Sequence, residues 1–260
     1  MDLSKQYYNQ TDAKQFETEA LLTNSVLLAA LALYSLNVLP LFALVLIVSV
    51  CITRWMICIH ELFHITKGKK LRPFVRLLLI PFTPLNIGYD EYQSTHMGHH
   101  RYNAGHEDPE AYHIRKSHII SLLISMTYPE QSFFRYLKHK DLSLEQWYHV
   151  SIRLFFFLAL LSLFQQGFVV FWLILRTFYG LNIWVFFHAL HTKNGDYGTF
   201  AVSLPSVIKK IYLFLYGKHT LEATLHHNVH HQWPRMAYWH LEKNQAMIAA
   251  PTSNPIASNS

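Results

Sequence analysis

The chain has 260 residues, of which 51% are apolar, 15% aromatic and only 15% charged. That balance suits one domain and leaves little charge to cover it. The net charge of +6 would fit a nucleic-acid partner only if the basic residues formed a polar domain; they flank apolar runs instead, which excludes that class and points to membrane-surface phosphate.

The N-terminal stretch Met1 to Ala20 is polar and carries Asp2, Asp12, Glu17 and Glu19. It lacks the basic start and apolar core of a signal peptide, so targeting is expected to fall to the membrane segments themselves. From Leu21 to Ile59 the chain is apolar and too long for one crossing of a ~30 Å hydrocarbon core. Asn37 and Pro40 interrupt it. A helical hairpin follows from this, with spans near 21–37 and 41–59 and the second helix overrunning the lipid as far as His64. Cys51 and Cys58 share one face of that helix and lie too far apart along it to bond, so no disulfide is expected.

Lys67, Lys69, Lys70, Arg72 and Arg76 precede a short apolar run that ends at Phe82. It is too short to span and fits an interfacial or re-entrant piece. Tyr89 to Lys140 is a polar segment rich in His, Asp, Glu and Arg. Leu154 to Leu175 has the length of a single crossing between Arg153 and Arg176, yet a single crossing would strand the later histidines on the far side. A second hairpin avoids this: spans near 150–165 and 168–187 joined at Gln165-Gln166-Gly167, with Arg176 at membrane depth facing a polar cavity or snorkelling. Neither turn carries Lys or Arg, so the histidine-bearing face and both termini are expected to be cytoplasmic. The expected fold is all-α and integral to the membrane: four transmembrane helices as two hairpins under a histidine-rich helical cap, one domain over residues 1–250, then a disordered tail over 251–260.

Eighteen histidines are several times the chance number, so many need a role other than packing. Three clusters stand out: His60-Glu61-Leu62-Phe63-His64, His96-Met97-Gly98-His99-His100 and His227-Asn228-Val229-His230-His231. At about 100° per helical residue, His227, His230 and His231 converge, while His226 lies off their centre. Imidazole suits iron, copper, nickel and zinc rather than calcium or magnesium. Two, three and three such ligands exceed what one tetrahedral ion can use, so two metals are implied. A further pair, His188 and His191, lies three apart at the end of the last span and is expected on one helical face.

Taken together, H-x-x-x-H and two H-x-x-H-H motifs, in this order and within this hydropathy pattern, resemble the three histidine boxes of the membrane fatty-acid desaturase superfamily, over nearly the whole chain. The resemblance implies two irons held by nine histidines: His60, His64, His96, His99, His100, His227, His230 and His231, with His191 as the ninth and His188 its competitor. Asp108 would orient a ligand imidazole or cap the following helix, and Glu61 and Glu222 have the same two readings. The other histidines, among them His113 and His219, are expected in solvated or interfacial roles.

The implied activity is O₂-dependent desaturation of a fatty-acyl chain. The close alternative is carotenoid ketolation or hydroxylation, which Asp108-Pro109 and the doubled His226-His227 resemble and which His60-Glu61 in the first box speaks against. The substrate is expected from lipid or on an acyl carrier. No haem, iron–sulfur or dinucleotide motif is visible, so a separate electron donor is implied, a ferredoxin or a cytochrome-b-type protein with its reductase. A membrane zinc metalloprotease built on His60-Glu61-Leu62-Phe63-His64 leaves two clusters unexplained. A carboxylate diiron site lacks its glutamates, and a transporter would place ligands inside the bilayer.

Overall fold

The computed structural model describes residues 3–77 and 82–248. The expected tail and part of the short apolar run therefore lie outside the described residues. Among the described residues the regular structure is helical apart from one ribbon of two two-residue strands.

Helix α1 spans Gln10–Ser35, beginning well before the span expected from residue 21. Its start is set by a capping box: Asn9 accepts from the backbone N–H of Asp12, and the Asp12 carboxylate accepts from Asn9 N–H. Hydropathy marks where lipid would begin, whereas capping marks where the helix begins. The C-terminal end breaks at Asn37, whose φ of 58° is the left-handed conformation that Asn tolerates at a helix end. Pro40 then caps α2, Leu41–Ile65. The two helices pair, and Arg54 of α2 forms an ion pair with Glu19 of α1.

A short helix α3 (Pro73–Leu77) is tied back to α1, where Glu17 accepts from the Arg72 backbone N–H at 2.8 Å. Beyond it Phe82 packs against Phe156 and Phe171, so this end of the short apolar run enters the bundle. The polar segment supplies α4 (Tyr89–Tyr102), α5 (Ala111–Ile114), α6 (His118–Met126) and α7 (Tyr128–Leu137). It is less uniformly polar than its composition implies. Ile119, Ile120 and Leu123 of α6 face outward, while Ser121 and Ser125 are buried.

Helix α8, Leu144–Trp184, starts on a second capping box, Ser143 with Gln146. It is interrupted at Gln165, which has φ 45° and ψ −120°. Across that point the ring of Phe157 lies 5.0 Å from Phe168 and 6.0 Å from Trp172. In a continuous helix eleven residues would separate the first pair by about 16 Å, so the two halves lie side by side. Among the described residues three helices are long and apolar enough to cross a membrane: Gln10–Ser35, Leu41–Ile65 and Leu144–Ala189, the last including the segment just beyond α8.

Arg176 is buried and satisfied rather than snorkelling: it pairs with Glu130 of α7 at 2.6 Å and donates to the Met126 carbonyl. Arg153 is likewise buried and donates to the Pro84 and Asn86 carbonyls. Arg176 therefore clamps the polar segment onto α8, and Arg153 clamps the stretch just before it.

After α8 a π-turn, Val185–Ala189, is followed by strands β1 (Thr192–Lys193) and β2 (Asp196–Tyr197), joined through Asn194-Gly195. Helix α9, Ser206–Leu225, divides at Gly217, whose φ of 81° and ψ of 169° only glycine adopts freely. Its first part exposes Val207, Ile211 and Phe214; its second part is buried from His219 to Leu225. Helices α10 (His227–Gln232) and α11 (Leu241–Ile248) complete the fold. Tyr7 bridges Met236, so both ends of the described chain meet beside the last histidine cluster.

Gly180 marks the closest helix approach, since a Cβ there would lie 2.9 Å from Met126 Cα. Gly180→Ala is expected to push α6 from α8 and cost about 1–3 kcal/mol, measured as a lowered thermal midpoint in detergent. Unchanged stability would mean that α6 shifts freely.

Candidate metal centre

Each cluster is delivered by a different element. His60 and His64 sit one turn apart near the end of α2, His96, His99 and His100 on α4, and His227, His230 and His231 on α10. They meet in two groups. His60, His64, His96, His100 and His230 each offer a nitrogen within 4.8 Å of the others, and so do His99, His191 and His231. His227 joins the second group through His191, Nε2 to Nε2 at 3.1 Å.

The contacts are between the same kind of atom. His64 Nε2 lies 2.9 Å from His96 Nε2, His96 Nε2 3.1 Å from His100 Nε2, and His99 Nε2 3.1 Å from His191 Nε2. The outer nitrogens set the tautomers in the second group. His99 Nδ1 is 2.7 Å from the Asp108 carboxylate and His191 Nδ1 3.0 Å from the Gly198 carbonyl. Both partners are acceptors, so each Nδ1 donates and each Nε2 is left as a lone pair. Two lone pairs aimed at one another in a buried site repel unless a cation lies between them. Burial, then mutual repulsion among the imidazoles, holds His96, His100, His191, His227, His230 and His231 well below the usual histidine range. They are neutral, as ligation requires. Several nitrogens of His60, His230 and His231 are buried with no protein partner. The donor set therefore fits two transition-metal ions.

His188 and His191 do not point the same way. The wide turn, closed by Leu190 N–H to the Val185 carbonyl at 3.0 Å, ends the helix before His191, so regular helical spacing does not apply. His188 Nδ1 donates to the Ile114 carbonyl and its Nε2 meets His118 Nδ1, each at 2.9 Å, away from both groups. The ribbon holds His191 in place, because Gly198 N–H also bonds to the His191 carbonyl.

Asp108 holds His99 and also accepts from the backbone N–H groups of Ala104 and Glu110. Glu61 lies 3.4 Å from both His60 Nδ1 and His219 Nε2. Glu222 meets His226 at 3.3 Å, and His226 turns to Gln245, so neither touches the nine converging rings. His219 and His113 are buried, contrary to the solvated roles expected of them. His219 contacts Glu61, Arg54 and Tyr8, with Tyr238 stacked on it at 4.2 Å; His113 bonds Ser125 at 2.7 Å. Nothing in a single histidine's sequence neighbourhood signals such a partner on another helix.

A mostly apolar cavity opens onto the histidines. Trp55, Ile59, Phe63, Ile183 and Phe187 line it together with His60, His96, His99 and His227. Its acidic lining residue is Glu110, which accepts from the Tyr128 hydroxyl at 2.7 Å. Burial, reinforced by the nearby Asp108 charge, pushes its carboxyl up to about 8.

A helical protein with helices long and apolar enough to cross a membrane, and with two histidine groups that could each hold a metal ion beside an apolar cavity, is the class these features define. The fatty acid desaturase family model matches residues 36–254, and the chain belongs to that family, whose members are generally membrane-bound oxidoreductases acting on lipid. No curated protein and no solved structure gives a significant match.

Because the unfolded Glu110 carboxyl titrates near 4.5 and the folded one near 8, the folded state holds the extra proton between these values. Stability is then fully present below about pH 4.5 and is lost as pH rises toward 8. Thermal midpoints across pH 5–8 are expected to fall less in Glu110→Gln than in the parent. Parallel curves would show that Glu110 ionises freely in place.

Proposed function

We propose that this protein is a membrane diiron oxidoreductase that uses O₂ and two external electrons to desaturate a fatty-acyl chain. The observation that carries this reading is the pairing of buried, outward-anchored imidazoles with an apolar cavity on which four of them open. His60, His64, His96, His100 and His230 would hold one iron; His99, His191, His227 and His231 would hold the other. The bound irons would supply the activation of O₂ that no side chain can provide.

The protein's own part is positional. Asp108 and Gly198 O fix the tautomers of His99 and His191, and Glu61 stands behind His60. Trp55, Phe63, Ile183 and Phe187 hold an apolar chain and exclude water from it. Atoms balance when O₂ takes two electrons and two protons from adjacent carbons and two more of each from outside, leaving a double bond and two waters. The outside electrons come from a separate donor, a ferredoxin or a cytochrome-b-type protein with its reductase. The exposed Lys67, Lys69, Lys70 and Arg72 offer an acidic donor a docking face. We read the spans as four, in two hairpins turning near residues 37–40 and 165–167, with the histidine cap and both chain ends cytoplasmic. The meeting of Tyr7 with Met236 and the side-by-side halves of α8 support that topology.

Purified protein is expected to hold about two irons per chain, one for each group of histidines. His191→Ala should lose iron, whereas His188→Ala and His226→Ala should keep it, as read by metal analysis. Zinc in place of iron, with proteolytic activity, would overturn the assignment. Lipid analysis of an expressing host that also makes carotenoids should reveal new acyl double bonds; oxygenated carotenoids instead would reassign the substrate.

A further inference from the structure

Besides the histidines, the cavity carries a second group of polar side chains. Glu110, Tyr92 and Tyr128 line it there, only 1%, 6% and 4% exposed. Tyr128 donates to Glu110 Oε1, which leaves Glu110 Oε2 buried without a protein partner. The Tyr92 hydroxyl, on a ring stacked 6.1 Å from Tyr128, is buried without a partner as well. Buried polar atoms are almost always paired, and leaving two of them bare in one cavity is unfavourable unless a ligand or water completes them. Binding cavities of this kind orient an apolar ligand through a few convergent polar groups. A carboxyl and a phenol together supply donors and acceptors suited to a neutral oxygen, and the surrounding apolar wall disfavours a charged head group.

We propose that Glu110, Tyr92 and Tyr128 form an oxygen-binding notch, and that the substrate is an apolar chain already carrying a hydroxyl or keto oxygen near the carbon to be oxidised. The nearness follows from the shared cavity, since His96 and His99 line it with the notch. The backbone N–H of Glu110 is also held by the same Asp108 that anchors His99, which fixes notch and metal ligand relative to each other. An oxygen seated there would select which carbon faces the histidines. The enzyme would act after a reaction that installs this oxygen. This inference rests on the desaturase reading and narrows its substrate class.

The test uses the iron-loaded protein in detergent and chains of one length and head group: unsubstituted, and hydroxyl- or keto-bearing with the oxygen walked along the chain. Binding is followed by quenching of tryptophan fluorescence, to which Trp55 in the cavity wall contributes, and products by mass analysis. At one oxygen position the substituted chain is expected to bind roughly tenfold more tightly than the unsubstituted one. The hydroxyl and keto arms tell which oxygen is taken. Glu110→Leu and Tyr92→Phe should each bring that ratio toward one, while Glu110→Gln, which keeps a donor and an acceptor, should preserve most of it. If Glu110→Leu fails to retain iron, Tyr92→Phe carries the test, since it removes a single hydroxyl. Equal binding at every oxygen position, or a preference unmoved in an iron-retaining variant, would mean that water alone fills the notch and would overturn the proposal. Absence of oxidised product from every chain would instead overturn the desaturase reading, and the binding ratios would still judge the notch.

Discussion

Nine imidazoles crowded into one largely buried site impose the constraint on which everything else depends. Burial and neighbouring rings hold His96, His100, His191, His227, His230 and His231 well below the usual histidine range, and His99 and His191 present lone pairs to each other at 3.1 Å. Such an arrangement is repulsive on its own terms. Helices anchored elsewhere deliver the rings, and a cation placed among them would turn the repulsion into ligation. The fold is therefore best understood as a device for bringing α2, α4, α10 and the segment after α8 to one place and holding them there.

The holding is done by buried polar contacts more than by cap hydrophobics. Of the two cations that bracket the apolar run of α8, Arg153 is spent on carbonyls just before α4 and Arg176 on a carbonyl of α6 and a carboxylate of α7. Arg54 links α1, α2 and α9 through Glu19 and His219. Removing one partner from such contacts leaves an uncompensated charge, which is far more costly than the net worth of the pair. The same logic reaches the candidate metal ligands through Asp108 behind His99 and the ribbon carbonyl of Gly198 behind His191. The π-turn at Val185–Ala189 serves this end by terminating α8 so that His191 leaves the helix toward the site while His188 stays in the helix packing.

The cavity adds a second requirement. Its wall is built from Trp55, Ile59 and Phe63 of α2 facing Ile183 and Phe187, so the helices that carry or precede the ligands also shape the substrate space. Polar groups enter it at the histidines and at the notch formed by Glu110 with its two tyrosines. A chain bound there meets dry apolar contact along its length and hydrogen bonding at one point, which is how an otherwise slippery hydrocarbon acquires a register.

Much of this was legible in the residues themselves. Box spacing at i, i+3 and i+4 is a local property, and local geometry alone brings His227, His230 and His231 to one face of α10. Asn37 and Pro40 announced the first turn, and Gln165-Gln166-Gly167 the interruption of α8, because breakers act through their own backbone preferences. The starts of α1 and α8 were displaced from expectation, since capping boxes at Asn9 and Ser143 set them outside the apolar stretch. What only the tertiary structure decided lies between elements distant in sequence: His191 rather than His188 turning to the cluster, His219 paired with Glu61, Arg176 satisfied by Glu130, and Glu110 brought into the cavity. Sequence determines which groups can bind, cap or turn because those are properties of a residue and its near neighbours. Which groups meet depends on helix packing over long separations, and no spacing within the chain encodes that directly.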